Sequence, residues 1–411
     1  MRKPGIICCV ILLQLVSAVS SYSQSILYPR FEAHNIDTLR SGYKVEAEDI
    51  NLDGKPDIAA LATIPAALVW FENPGWQRHV IYHNTYKNIS MAFNDVDGDG
   101  RPDLVLASHF DLLEPGEGEL QWLRSPADPS NEWSLTEIKK IPSVHRILWT
   151  DINKDGKNEL IIAPTLGPGA KAPGYKSKTA FYYAVLSDKG RFRFVTIDSS
   201  LTVLHGISVA DIDKNGTKDI LTASFEGVNA YYNKITGNTS SFVKKQLSRG
   251  EQSEPPQLGS SEVEAGRLAN GKIFIATIEP WHGNEVVVYT EGAHPDSLWS
   301  RIVIDRTFNQ GHALAVDDFN GDGTDEIVAG YRGRGTSLFI YVNRDKAGQM
   351  WERTLLDNKM ATSGISVADI NSDGKPDIIA IGTSTNNIRW YENKGFISVS
   401  DTAKVVPVTE K

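Results

Sequence analysis

A nine-residue pattern, written six times, constrains this chain more than any other feature. In Asp369-Ile370-Asn371-Ser372-Asp373-Gly374-Lys375-Pro376-Asp377, oxygen-bearing side chains fall at positions 1, 3, 5 and 9, with glycine at position 6. The same register recurs at Asp49, Asn51, Asp53 and Asp57, at Asp95, Asp97, Asp99 and Asp103, and at Asp151, Asn153, Asp155 and Glu159. It recurs again at Asp211, Asp213, Asn215 and Asp219, and at Asp318, Asn320, Asp322 and Glu326. A hard cation explains the spacing: Ca²⁺ takes six or more oxygens at about 2.3–2.6 Å, and a tight loop with alternate side chains turned inward supplies them. Glycine provides the positive φ that folds the loop back. An EF-hand would need a bidentate Glu at position 12 and flanking helices. Position 12 is instead Ala60, Leu106, Ile162, Thr222, Ala329 and Ala380, and β-branched apolar residues follow each loop. These are read as strand–loop–strand Ca²⁺ sites.

The loops begin at 49, 95, 151, 211, 318 and 369, leaving one gap of double length. A degenerate copy fills it: Glu264 to Ile275 keeps Asn270-Gly271-Lys272 and the following strand but has lost the acidic residues. Seven repeats of about 50 residues match the period of a four-stranded propeller blade. Within a repeat, one strand enters the loop and a second leaves it. A third carries an aromatic signature such as Val69-Trp70-Phe71-Glu72-Asn73 or Trp390-Tyr391-Glu392-Asn393, and a fourth often opens on Trp or Phe. The seventh repeat lacks a fourth strand, whereas Tyr28 to Ile36 is a strand with no repeat of its own. The expected fold is therefore all-β, a seven-bladed propeller over 24–395 in which the N-terminal strand completes the last blade. Closure removes open sheet edges. An open array with a separate C-terminal domain is the alternative, and 396–411 is read as a peripheral tail.

Arg2-Lys3 followed by the apolar run Ile6 to Val19 reads as a signal peptide over 1–23, which places the protein in the periplasm or outside the cell. The run is too short to favour a membrane span. Both cysteines, Cys8 and Cys9, lie inside it, so stability must come from the core and the cations. Formal charge is −9, with much of the acid in the loops, and there is no basic run, so nucleic acid is not an expected partner.

If the first strand of each blade lines the axis, residues preceding it meet at the mouth opposite the cation loops. Counting back six from position 1 gives His145, His205 and His312 in blades 3, 4 and 6. After second strands come His109, then Glu279-Pro280-Trp281-His282, then Tyr331-Arg332, while Arg146 follows His145 and Lys171 and Tyr175 stand in a long blade-3 loop. Converging imidazoles hold a transition metal such as Zn, Mn, Ni or Co, or move protons near neutral pH. The bland alternative is that they plug a narrow channel. Likewise Trp281 is either a sugar-stacking platform or core. No nucleophile elbow, Walker loop, dinucleotide glycine motif or H-E-x-x-H is present, which argues against serine hydrolases, NTPases, nicotinamide enzymes and zincins.

The repeated loops and strands resemble the FG-GAP/VCBS family of seven-bladed Ca²⁺-binding propellers. Ile278-Glu279-Pro280-Trp281-His282-Gly283-Asn284-Glu285-Val286-Val287-Val288-Tyr289, together with the histidine-led strands, resembles the propeller part of aldos-2-ulose dehydratases, which eliminate water from keto-sugars. That likeness implies that His145, His205, His282 and His312 lie in or near a metal-dependent site. Those enzymes carry cupin domains after the propeller, so no cupin step is expected here. The expected function is a metal-dependent carbohydrate lyase acting on a keto-sugar or keto-glycoside. In that scheme a metal sits on His145, His205 and His312, and His282 or Glu279 is the base. The rival expectation is a non-catalytic propeller that binds glycans or proteins and uses Ca²⁺ only as scaffold.

Overall fold

The computed structural model describes residues 26–187 and 190–399. The signal-peptide segment and residues 400–411 lie outside them. Seven four-stranded antiparallel sheets follow one another along the chain. Their inner strands are Gly42–Glu48, Ser90–Asn94, Val144–Thr150, Gly206–Ala210, Glu262–Arg267, Gly311–Asp317 and Thr362–Ala368. Each inner strand packs on the next, and that of blade 7 packs back on that of blade 1, so the ring is closed. The closing sheet is made as the sequence implies: Ile26–Thr38 pairs antiparallel with Asn387–Val399, from Ile26 opposite Val399 to Thr38 opposite Asn387. Residues Phe396–Val399 therefore belong to blade 7. The tail read from residue 396 begins four residues too early, because the long N-terminal strand gives those residues a hydrogen-bonding partner.

Second strands such as Asp57–Ala62, Asp219–Ser224 and Asp377–Gly382 are buried at every position. A strand covered on both faces by neighbouring blades must be apolar throughout rather than alternating, which is why Ile378-Ile379-Ala380-Ile381 reads as a continuous run. The interblade core is built from such residues: Val45, Ile58, Ala60 and Phe71 of blade 1 meet Ile379, Ile381 and Ile388 of blade 7. Truncating one of these isoleucines to Ala would cost about 2–5 kcal/mol. Polar fasteners add direction. The buried hydroxyls of Tyr341 and Tyr391 donate to Asp305 and Asp357 of the preceding blade at 2.7 and 2.6 Å.

The six loops share one geometry. Glycine at position 6 has φ between +83° and +86° in all six (Gly54, Gly100, Gly156, Gly216, Gly323 and Gly374). The position-1 carboxylate accepts its N–H, at 2.9 Å in Asp49 and 2.8 Å in Asp211 and Asp369. Position 9 is buried in every copy and fastens the loop on two sides. Asp219 accepts the N–H of Ile212 at 3.0 Å and that of Asn233 in the third strand at 2.8 Å. An Asn in or just after the third strand then crosses to the neighbouring blade: Asn73, Asn233 and Asn393 donate to the carbonyls of Ile370, Ile152 and Phe319. Each of those acceptors is position 2 of the preceding blade's loop. Blade 5 departs from this plan. Arg267 pairs with Ile273, whereas Ala210 pairs with Asp219, so its loop is three residues shorter and Leu268 is buried at the turn.

Candidate active site at the mouth of the ring

The residue five places before the end of each inner strand occupies one level of the ring. Around it stand Tyr43, Ile89, His145, His205, Glu262, His312 and Ser363. Above them opens a cavity of about 270 Å³, lined by Tyr43, Ile89, His145, His205 and, from the loops, Phe110, Leu112, Trp281, His282 and Arg332. His282 has φ +49° in the turn after the second strand of blade 5, a conformation uncommon outside glycine and worth weighing at a candidate site. The next residue must be glycine, since a Cβ on Gly283 would lie 2.2 Å from the Glu279 backbone.

Hydrogen bonds fix which ring nitrogens face inward. His312 Nδ1 lies 2.8 Å from the Ser363 carbonyl, and His205 Nδ1 lies 3.0 Å from the Glu262 carboxylate. A carbonyl and a carboxylate only accept, so both Nδ1 atoms carry the proton and both Nε2 lone pairs are directed elsewhere. His205 Nε2 is 3.0 Å from His282 Nε2. One ligand atom from each of His205, His282 and His312 falls within 4.8 Å of the others. Tetrahedral Zn–N bonds of about 2.0–2.1 Å put ligand nitrogens about 3.3 Å apart, so this all-imidazole set fits a borderline-soft divalent cation after a small closure. The loops offer oxygens only, a set that fits a hard cation.

Tyr43 bridges the remaining pair. Its hydroxyl lies 3.0 Å from His312 Nε2 and 3.1 Å from His145 Nε2. With His312 Nε2 bare, Tyr43 donates to it and accepts from His145. His145 Nδ1 is buried and makes no hydrogen bond among the described residues. A cation on the three Nε2 atoms would replace Tyr43 as the partner of His312. Burial, helped by Arg146 and the neighbouring imidazoles, pushes the His145 pKa well below the usual value. Burial and Arg332 do the same to His312, and burial and His205 to His282. Burial also lowers His205, with Glu262 opposing. All four rings are neutral at pH 7, as ligands and proton acceptors must be. Below them, Arg146 pairs with Glu262 at 2.8 Å.

The structure thus gathers His145, His205, His282, His312, Trp281 and Arg332. The imidazole set differs from the one read from spacing: His282 takes the third place, and His145 turns to Tyr43 instead, because the blade-5 turn brings His282 over the ring. Glu279 does not reach the cavity. It is fully buried, with Arg301 at 2.8 Å and bonds from Ser260, Thr277 and Tyr289, so the fold uses it as a structural ion pair and not as a base. His109 stands outside the cavity lining, near Ser108 and Glu119. Tyr331 packs into Phe308 and Phe339. Tyr175 is buried against Trp281 at 5.4 Å, and Lys171 is exposed. Trp281 does both things the sequence allowed: it belongs to a small core with Leu166, Val203 and Phe225, yet it lines the cavity and stacks on His282 at 4.7 Å.

Two members of the ring, Tyr43 and Glu262, were not singled out as site residues. Tyr43 shares the offset of the histidines and is visible by counting. Glu262 is not, since counting back from Asn270-Gly271 lands on Ser260 unless the shortened loop is known.

Comparison with known proteins bears on the same residues. The FG-GAP-like repeat matches residues 49–106 and 318–380, and the β-propeller domain of aldos-2-ulose dehydratase matches residues 117–292. The chain is thus a seven-bladed propeller that carries FG-GAP-like repeats and is similar, over its middle blades, to the aldos-2-ulose dehydratase propeller domain. The propeller is 21% identical over 331 residues to "Aldos-2-ulose dehydratase" of Phanerodontia chrysosporium, covering 74% of this chain and 36% of that protein. It thus spans about a third of the relative's length. "Integrin alpha pat-2" of Caenorhabditis elegans is 27% identical over 132 residues, 30% of this chain and 11% of that protein. Among solved structures, an Agrocybe aegerita lectin that recognises non-reducing terminal N-acetylglucosamine aligns with a TM-score of 0.49 at 13% identity, over 87% of this chain and 94% of the lectin. No helix among the described residues is long and apolar enough to cross a membrane.

Proposed function

We propose that this propeller is an exported carbon–oxygen lyase that eliminates water or an alcohol from an oxidised sugar in the mouth cavity. The observation that carries the reading is the convergence of imidazoles from three blades, in one sugar-sized space, with a guanidinium that has no partner among the described residues. The weak likeness to a protein named as a sugar dehydratase supports it. The cavity, at about 270 Å³, lies at the small end of ligand pockets, which suits one sugar ring. His205, His282 and His312 would hold a divalent transition metal, whose chemistry when bound is to polarise a carbonyl and stabilise an enolate.

The chain's own groups supply the remaining steps. Arg332 anchors the sugar by donating hydrogen bonds to its oxygens. His145, held by Tyr43, takes the α-proton, an assignment that replaces Glu279 and His282. The C–O bond to the β-substituent breaks as the C=C bond forms. A proton returns to the departing oxygen from the His145–Tyr43 pair, so the step is redox-neutral. Trp281 and Phe110 exclude water. The oxygen loops would hold Ca²⁺ as structural ions.

The test is a screen of keto- and unoxidised glycosides for a new ultraviolet-absorbing enone, with and without added Zn²⁺, Mn²⁺, Ni²⁺ or Co²⁺. The reading requires metal-stimulated enone formation from keto-sugars that His145→Ala abolishes while the fold is retained. Saturable glycan binding without product would instead favour a non-catalytic propeller, a reading with its own support in the partial likeness to an integrin.

A further inference from the structure

The charges around the cavity do not balance, and the imbalance has one sign. Among its described lining residues there is no carboxylate. Arg332 is the one fixed charge in the lining. It is half-buried and its guanidinium has no hydrogen-bond or ion-pair partner among the described residues. The other nearby cations are already compensated: Arg146 by Glu262 at 2.8 Å, Lys44 by Glu46 at 2.7 Å, and Lys87 on the rim by Asp111. A guanidinium that is partly desolvated and left without an anion is costly unless a ligand supplies the charge. A carboxylate matches its planar fork with two parallel hydrogen bonds. A divalent cation on the imidazoles would make the cavity more positive, so the sign does not depend on metal occupancy.

We infer that the ligand of this cavity is an anionic sugar, a single ring bearing a carboxylate that pairs with Arg332. This deepens the lyase reading by naming the substrate class, and it rests on that reading only for the location of the site. Arg332 enters the cavity from the residue after the second strand of blade 6, beside His312, so the carboxylate end of the ring faces the imidazoles. The neighbouring Arg334 is exposed and does not line the cavity, which makes it the internal control.

The test uses protein freed of transition metals with Ca²⁺ restored, and measures binding of D-glucuronate, D-glucose and inorganic phosphate by calorimetry. D-Glucuronate should bind about tenfold or more tightly than D-glucose, the size of one charge-assisted hydrogen bond. It should also bind more tightly than phosphate, which lacks the ring. Arg332→Gln should bring glucuronate and glucose within about twofold of each other, Arg332→Lys should keep part of the preference, and Arg334→Gln should keep all of it. Melting curves with Ca²⁺ verify that each variant is folded. Equal binding of glucose and glucuronate by the native protein overturns the inference, as does a preference that survives Arg332→Gln. Phosphate binding as tightly as glucuronate also overturns it, since the site would then read charge alone. Binding is measured without turnover, so enone formation from a neutral keto-sugar with no glucuronate preference sinks this inference alone. A preference without any enone sinks the lyase reading alone.

Discussion

The two ends of the inner strands carry two kinds of donor cluster, and they are built in opposite ways. At one end, each loop draws its oxygens from nine consecutive residues and repeats the same hydrogen bonds six times. At the other, His205, His282 and His312 arrive from three blades and meet only because the ring closes. The loop is a local device whose geometry is fixed by a glycine at φ near +84° and by its own backbone. The mouth is a tertiary device held by partners far along the chain: Glu262 on His205, Ser363 on His312 and Tyr43 on both His312 and His145. The contrast teaches that the loops serve the ring's rigidity while the mouth is free to carry chemistry. Asn73, Asn233 and Asn393 make the connection explicit by tying one blade's third strand to the previous blade's loop.

Removing divalent cations should break the comparison most visibly. Each site that binds only the folded state adds about 2.7 kcal/mol at a hundredfold excess over Kd. Chelation should therefore lower the melting temperature by about 10 °C or more, reversed by Ca²⁺ and not by Zn²⁺. An unchanged melting curve would mean that the loops hold themselves together without ions. A finer cut separates positions within one loop. Asp219→Ala strands two buried N–H groups and should cost about 3 kcal/mol with or without Ca²⁺. Asp213→Ala should cost little in denaturant titrations without Ca²⁺ and more with it. Equal losses for the two variants would show that position 9 is only another ligand.

At the mouth the expectation reverses. His205→Ala should leave the Ca²⁺-dependent melting shift intact and change stability by about 1–2 kcal/mol, while abolishing retention of one equivalent of Zn²⁺ after gel filtration. Retained zinc would mean the imidazoles are not its ligands. The smallest effect concerns the channel below. Burial, with Glu262 adding repulsion, pushes Glu264 up to about 8. A carboxyl whose folded pKa lies above its unfolded value of 4.5 favours the fold most when protonated. Its ionisation therefore costs stability increasingly as pH rises from about 4.5 through 8. Glu264→Gln should leave melting unchanged at pH 5 and raise it by about 2–3 °C at pH 9. A gain at pH 5 equal to that at pH 9 would assign the effect to packing.

Much of this architecture was legible beforehand because repetition is a one-dimensional signal. Position 9 could be placed in six of the seven blades, and the missing fourth strand of blade 7 pointed to the N-terminal segment. The mouth was legible only in part. His145, His205 and His312 share an offset, but nothing in the linear order says that His282 would displace His145 from the imidazole set. Glu279 looked available because it precedes Pro280-Trp281-His282, and only packing reveals Arg301 and Tyr289 closing over it.

What the residues alone determined is the blade: a loop whose ligands are neighbours in sequence, a strand apolar on both faces, and a period that makes seven of them. What the tertiary structure decided is the company each mouth residue keeps. Bringing groups from different blades within hydrogen-bond reach depends on ring closure and on a blade-5 loop three residues short, which put Glu262 level with His205. Local patterns encode backbone conformation directly. Long-range contacts are encoded only through how whole blades pack, and that is where the charge, the tautomers and the chemistry of the cavity are set.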